Sequence, residues 1–423
     1  MKDILETLKS RELLDNVTGA LPNHPVRVYA GFDPSADCLH LGNFVGIAVL
    51  RWFQKLGHTP VVILGGATGM IGDPSGKSKE RNLLDAATLE HNVRSIEKLM
   101  RHLLRSEAGL PEPIFLNNYD WFKQFSFIDF LRDVGKHFRV GTMMAKESVK
   151  QRLHSEEGIS FTEFCYQTLQ GYDFYHLFEH HNVAVQCGGS DQWGNITAGC
   201  DLISRKSQKN EKGIGLAWPL LLRSDGRKFG KSEEGAVWLG REKLSAYKFY
   251  QYAFQTPDAD VIKFMKRLTM MPLEEIEHYE KELLAGRLEP NAAQKRYAEE
   301  LTRIVHGEEG VLEAIESTKL AQPGHQVELS LANLNQMAQV VPLLQRSKND
   351  VCGKRLVDLI VEGELTSSKA EARRLIENKG VYLNQRVVED AQAVIQDSDL
   401  IENQVFLLSV GKKKRLIVKV LPG

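Results

Sequence analysis

The chain has 423 residues, 42% hydrophobic and 26% charged, with a formal net charge of −1. This suits a globular protein of two to four domains with a sizeable core, and any nucleic-acid partner must be held by local basic clusters. Five cysteines without a CxxC pair argue against structural zinc or disulfides, and neither a signal peptide nor an apolar run near the ~20 residues of a membrane span is visible, so a soluble cytoplasmic protein is expected.

Residues 2–14 read as a surface helix with Ile4, Leu5 and Leu8 on one face. Val26 to Gly31 reads as a strand, followed by the loop Phe32-Asp33-Pro34-Ser35-Ala36-Asp37-Cys38-Leu39. His40-Leu41-Gly42-Asn43 then opens a helix over 42–56, with Phe44, Ile47, Ala48, Leu50 and Phe53 facing inward and Gly57 ending it. Pro60-Val61-Val62-Ile63-Leu64 is a continuous apolar run of the kind a buried parallel sheet uses. Strand, helix and strand make a right-handed βαβ unit. Its first turn lies where α/β sheets bind ligands and where helix N-termini offer N–H groups to anions.

The second strand runs into Gly65-Gly66-Ala67-Thr68-Gly69-Met70-Ile71-Gly72-Asp73-Pro74-Ser75-Gly76-Lys77, which implies a backbone brought close to a ligand. It is one residue too short for the phosphate-loop pattern GxxxxGK[ST], and that reading is rejected. An amphipathic helix over 88–107 and a strand near 114–116 follow, then helices over 127–138 and 142–153 that suit an inserted subdomain. Ser160-Phe161-Thr162-Glu163 is a capping box. On the helix it opens, Tyr166, Gln170 and Asp173 form one polar stripe without Lys or Glu, which favours a buried polar ligand over a solvated face. Val183 to Cys187 is another buried strand. Gly188-Gly189-Ser190-Asp191-Gln192-Trp193-Gly194-Asn195 after it leads into a helix to about Ser204, with Asp191 placed to accept ribose hydroxyls. A mobile cationic loop, Arg227-Lys228-Phe229-Gly230-Lys231-Ser232, suits phosphate oxygens.

From about residue 240 the chain reads as helices over 245–255, 258–269, 273–285 and 290–306, punctuated by Pro257, Pro272 and Pro290. Residues 321–350 are weakly patterned and read as a linker. From Cys352 a third module holds two helices and then short strands, with Arg373-Arg374 and Lys412-Lys413-Lys414-Arg415 clustered as phosphate contacts would require, although the lysine tail taken alone suits a solvated run at a hairpin equally well.

The four loops share one explanation. His40 and Asn43, Lys77 and Arg81, Asp191, and Lys228, Lys231 and Ser232 suit ATP, and no nucleophile arrangement or metal-ligand cluster is evident. Chemistry that needs positioning and charge neutralisation alone is in-line displacement at phosphorus. Two rival readings, a small-metabolite adenylyltransferase and a non-catalytic RNA-binding protein, leave either the helical and basic modules or the intact polar sites unexplained.

With these motifs together, the chain resembles the bacterial-type tyrosyl-tRNA synthetases, class I aminoacyl-tRNA synthetases, over essentially its whole length. The resemblance implies a Rossmann-like α/β catalytic domain over 1–222 with an inserted dimer segment near 117–145. It implies a cationic loop and α-helical domain over 223–320, a linker over 321–351 and a small α+β RNA-binding domain over 352–423. It implies ATP with Mg2+ as substrate without a tightly held metal, L-tyrosine, tRNA(Tyr), and a homodimer with Phe161 at its interface. By the same resemblance Tyr29 and Asp173 hold the phenol hydroxyl, Tyr166, Gln170 and Asp73 the α-ammonium, and Gln192 the carboxylate. Gly31, Asp33, Gly42, Gly189 and Asp191 would meet the nucleotide. His40, Asn43, Lys77, Arg81, Lys228, Lys231 and Ser232 would neutralise the leaving pyrophosphate. Arg373, Arg374, Lys412, Lys413 and Lys414 would meet tRNA. One departure is visible: the family signature usually ends in a second histidine, and here Asn43 stands in that place, a donor that cannot become cationic.

Overall fold

The computed structural model describes residues 3–73, 75, 84–105, 108–154, 158–209, 211–224, 226, 229–232, 235–321, 329–338, 341–411 and 414–421, with Lys231, Ser232, Leu320, Ala321, Ala332 and Gln336 described in backbone only. Lys77, Arg81, Lys228, Lys412 and Lys413 lie outside the described residues. The chain forms two compact units, one of residues 1–244 and 252–305, the other of residues 245–251 and 306–423.

The first unit is built on a six-stranded sheet: β1 (Asn16–Val17), β2 (Arg27–Phe32), β3 (Thr59–Leu64), β4 (Ile114–Asn117), β5 (Val183–Gly189) and β6 (Ile214–Trp218), in the order β1-β6-β5-β2-β3-β4. All neighbours are parallel except β1 on β6. Val28, Val61, Val62, Val183 and Val185 are fully buried, as continuous apolar strands covered on both faces must be. The chain leaves β2 toward β3 and β4, then returns across to β5 on the other side of β2. The crevice between the carboxyl ends of β2 and β5 is therefore the topological switch point. Strand β6 was not anticipated: Ile214-Gly215-Leu216-Ala217-Trp218 is short and carries a glycine, so its sheet place rests on pairing with β5.

Between β2 and β3 a 3-10 turn over Leu41–Asn43 precedes the helix Phe44–Lys55, whose Phe44, Ile47, Ala48, Leu50 and Phe53 are buried. The inserted segment holds short helices at Phe127–Asp133, Val140–Met144 and Glu147–Leu153 rather than two longer ones, because a 3-10 turn at Gly135–His137 and an extended Phe138 interrupt it. The helix Phe161–His181 begins at the anticipated box: the Ser160 hydroxyl accepts the Glu163 N–H, and the Glu163 carboxylate accepts the Ser160 N–H. Arg152 bonds the same carboxylate at 2.8 Å with both side chains buried.

Helices at Ala246–Phe254, Asp258–Leu268 and Leu273–Leu284 match the proline punctuation. The next runs Ala292–Ala321, past the expected end at 306, because the chain kinks at Gly307 and resumes helix. In the second unit five strands, β9 (Leu343–Ser347), β10 (Val381–Leu383), β11 (Arg386–Val387), β12 (Val405–Val410) and β13 (Lys414–Leu421), pair in the order β11-β10-β12-β13-β9. Here the stretch read as a linker differs. β9 pairs parallel with β13, and Leu334, Met337 and Val341 bury against Val405, Leu407 and Ile417. A parallel partner some seventy residues downstream leaves no local pattern, so only tertiary pairing reveals that this module begins before Cys352.

Candidate active site

The helix Phe161–His181 lays its polar stripe across the switch point. Tyr166 and Asp173 are buried on it, and both belong to one chain of hydrogen bonds. The Tyr166 hydroxyl donates to Asp33 at 2.7 Å, and the Thr68 hydroxyl donates to the other Asp33 oxygen at 2.7 Å. The Asn118 amide donates to Thr68 at 3.0 Å and to Asp173 at 3.1 Å, and the Trp121 indole donates to Asp173 at 2.8 Å. Residues just beyond β2, β3 and β4 thus lock to one helix. The approach is close: a Cβ on Gly65 would stand 2.1 Å from an Asp33 carboxylate oxygen, so only glycine admits this contact.

At the inner end, burial pushes the Asp173 carboxyl up to about 8 against the pull of its two donors. Burial also raises the Tyr29 phenol well above its usual range, with Asp173 as the second cause. The Tyr29 ring lies 5.6 Å from Phe174, and its buried hydroxyl has no partner among the described residues. A buried carboxyl beside an orphaned phenol suits a ligand that brings a hydroxyl.

A second chain serves the other end of the stripe. The Gln192 amide donates to Asp73 at 2.6 Å, and Asn195 donates to Gln170 at 3.0 Å and to Gln192 at 3.4 Å. Asp73 also accepts the Ser75 N–H. Burial, then Asp73, raises the Asp191 carboxyl, which lies beside Gly189 at the end of β5.

The turn that follows β2 is assembled by backbone. His40 and Asn43 form their own capping box: Asn43 Oδ1 accepts the His40 N–H, and His40 Nδ1 accepts the Gly42 N–H. The neutral imidazole therefore carries its proton on Nε2. Against this turn lies a hairpin of β7 (Lys231–Ser232) and β8 (Gly235–Ala236). His40 bridges Trp238, and Leu41 donates its N–H to the Val237 carbonyl. Gly230 has φ +82°, and a Cβ there would meet the Gly42 nitrogen at 2.5 Å, so this crossing also requires glycine. Gly31 is exposed near the end of β2.

In the other unit Arg373 and Arg374 are exposed on the helix Lys369–Glu377, while Lys414 donates to the Leu365 carbonyl at 2.8 Å. Sequence reasoning missed Thr68, Asn118, Trp121 and Asn195. Asn118 and Trp121 follow a strand without a glycine loop, and nothing local distinguishes them from any polar and aromatic pair.

Residues 21–321 match the family model for class I tRNA synthetases (W and Y), and residues 333–418 match that for the SYY-like C-terminal domain of tyrosine–tRNA ligases. The tyrosine–tRNA ligase of Protochlamydia amoebophila is 52% identical over 425 aligned residues, covering 100% of both chains. The chloroplastic/mitochondrial tyrosine–tRNA ligase of Arabidopsis thaliana is 48% identical over 99% of this chain and 84% of its own. Among solved structures, a C-terminally truncated mitochondrial tyrosyl-tRNA synthetase of Aspergillus nidulans superposes with a TM-score of 0.66 at 28% identity, over 76% of this chain and 94% of that one. With both halves matched and full-length relatives this similar, the chain belongs to the tyrosine–tRNA ligases, class I aminoacyl-tRNA synthetases.

Proposed function

We propose that this tyrosine–tRNA ligase binds the substrate phenol between Tyr29 and Asp173 and runs adenylate formation as an in-line displacement on ATP. The observation that carries the reading is the buried Asp173 carboxyl beside the orphaned Tyr29 hydroxyl, at the end of a stripe whose Tyr166 bonds Asp33 and whose Gln170 bonds Asn195. Tyrosine donates its phenol O–H to Asp173 and accepts from Tyr29. Tyr166, Gln170 and Asp73 take the α-ammonium, and Gln192 lies near the carboxylate. Asp191 and Gly189 meet the ribose, with Gly31, Asp33 and Gly42 lining the nucleotide's path.

The carboxylate then attacks the α-phosphorus. His40 offers Nε2–H and Asn43 its amide, while Lys77, Arg81, Lys228, Lys231 and Ser232 neutralise the departing pyrophosphate. No protein nucleophile is needed, since positioning and charge stabilisation carry such a step. Mg2+ enters with ATP as part of the substrate, held by phosphate oxygens and waters. The tyrosyl group next passes to the terminal adenosine of tRNA, with Arg373, Arg374 and Lys412 to Lys414 as phosphate contacts.

Phenylalanine lacks the hydroxyl and leaves Tyr29 unpaired, the form of selectivity for which tyrosyl-tRNA synthetases are themselves the usual illustration. Asp173 keeps its Asn118 and Trp121 donors, so the penalty at the carboxyl is one missing donor rather than complete isolation. ATP–pyrophosphate exchange measured with tyrosine, phenylalanine and tryptophan tests the assignment. Asp173→Ala should abolish tyrosine activation or erode discrimination against phenylalanine; unchanged rate and selectivity would overturn it.

We also propose a cytoplasmic homodimer. Phe127, Ile128, Leu131, Val140, Met144 and Phe161 expose large apolar side chains on the inserted segment and the start of the tyrosine-binding helix. Clusters of that kind mark association surfaces.

A further inference from the structure

We propose that Asp260 is a positioning residue for adenylate formation, anchoring the chain just upstream of Lys228. The proposal rests on the reading that this lysine meets the phosphates.

Asp260 lies in the first turn of the helix Asp258–Leu268 and is 1% exposed. Acids in a first turn commonly sit in water, where they complement the helix dipole. This one is turned inward onto another segment. Both its oxygens lie 3.0 Å from the Ser224 nitrogen, and one accepts the Ser224 hydroxyl at 2.9 Å. Lys263, one turn on, stands 3.3 Å from the same carboxylate and donates to the Leu222 carbonyl at 2.7 Å. The helix therefore holds the chain at 222 and at 224, just before the cationic residues.

It also holds the exit. Phe229 is buried with its ring 4.7 Å from Phe264 of the same helix. The Gly230 N–H donates to the Tyr252 hydroxyl at 3.3 Å, and Gly230 crosses over Gly42 in the signature turn. Both ends of the loop are thus referred to one helix, and the exit is referred to the ATP-binding turn as well.

The physical need follows from chain length. Lys228 is the fourth residue after Ser224, so the chain between them can span up to roughly 13 Å. Misplacement of a catalytic group by about 1 Å can cost about a hundredfold in rate. A carboxylate that takes both the peptide N–H and the hydroxyl of one residue sets the starting point of that span with charge-assisted bonds. The two residues are 36 apart in sequence, so neither advertises the other.

The test uses the full-length chain, with pre-steady-state adenylate formation and tyrosine-dependent ATP–pyrophosphate exchange. Asp260→Asn should lower kcat by about 10- to 100-fold while tyrosine affinity stays within about twofold. Added to Lys228→Ala, it should cause no further loss, because an anchor without its lysine positions nothing. A buried carboxylate that only holds the fold would weaken tyrosine binding too, and its effect would multiply with that of Lys228→Ala; either result overturns the proposal. Ser224→Ala leaves the buried carboxylate intact and guards against a folding defect. It should cost about 3- to 10-fold in kcat, again without effect in the Lys228→Ala background, and wild-type kcat would overturn the anchor. If Lys228→Ala alone leaves exchange unchanged, the phosphate reading of the loop falls; if it is impaired while Asp260→Asn and Ser224→Ala are not, only the anchor falls.

Discussion

Asp173 carries two opposed demands. Burial raises its carboxyl to about 8, while Asn118 and Trp121 favour the ionised form. In the proposed complex tyrosine adds a third donor, so binding favours ionisation and releases a proton below about pH 8. The KM for tyrosine should therefore fall as pH rises from 6, by at most about tenfold per unit, and level off above about 8. Asp173→Asn should flatten this dependence, and a flat wild-type profile would contradict the proposed phenol contact. The sign for stability is the reverse. With a folded value above the unfolded one, Asp173 contributes most below about pH 4 and that contribution is lost as pH rises toward 8. Thermal melts of the enzyme without tyrosine should show it. In the turn proposed to meet the nucleotide, His40 presents Nε2–H while Asn43 spends its oxygen on the His40 N–H. His40→Ala should thus slow adenylate formation more than Asn43→Ala, whose first effect is on the turn. Equal losses in single-turnover rates would reverse that weighting.

At the scale of elements, the helix Phe161–His181 was legible where its residues speak locally. Ser160 and Glu163 announced its start, and the stripe of Tyr166, Gln170 and Asp173 announced a face. What the stripe touches was not legible, because Asp33, Thr68, Asn118 and Asn195 arrive from four separate turns. The buried Arg152–Glu163 pair was equally silent, and it welds the capping box to the inserted segment. Arg152→Ala would leave Glu163 buried without that partner, at a cost of about 3–5 kcal/mol. Ser160→Ala removes only the cap, at about 1 kcal/mol. Urea unfolding of both variants measures the difference, and equal midpoints would show that the ion pair adds nothing to the cap.

For the whole molecule, the modular division bears on truncation. A chain ending at residue 351 keeps β9 and the apolar side chains of Leu334, Met337 and Val341 but loses the strands that cover them. It should aggregate. A chain ending at residue 321 removes the whole sheet and should retain tyrosine-dependent pyrophosphate exchange while losing tRNA charging. Loss of exchange in that shorter chain would contradict the separation of activation from tRNA contact. For the proposed dimer, Phe161→Asp places an acid in the first turn of its helix, which the helix end tolerates. Sedimentation should then report a monomer, and a persistent dimer would exclude the Phe161 surface.

By itself the sequence determined the βαβ entry, the glycine turns, the capping box and the polar stripe on the helix that the box opens. Each is written in neighbouring residues through periodicity, turn chemistry or helix-end signals. Only tertiary structure decided what those residues meet: the donors that hold Asp173, the crossing of Gly230 over Gly42, the anchor from Asp260 to Ser224 and the pairing of β9 with β13. These contacts join segments 36 to about 190 residues apart, and a hydrogen bond or a strand pairing at that range leaves no mark on local pattern.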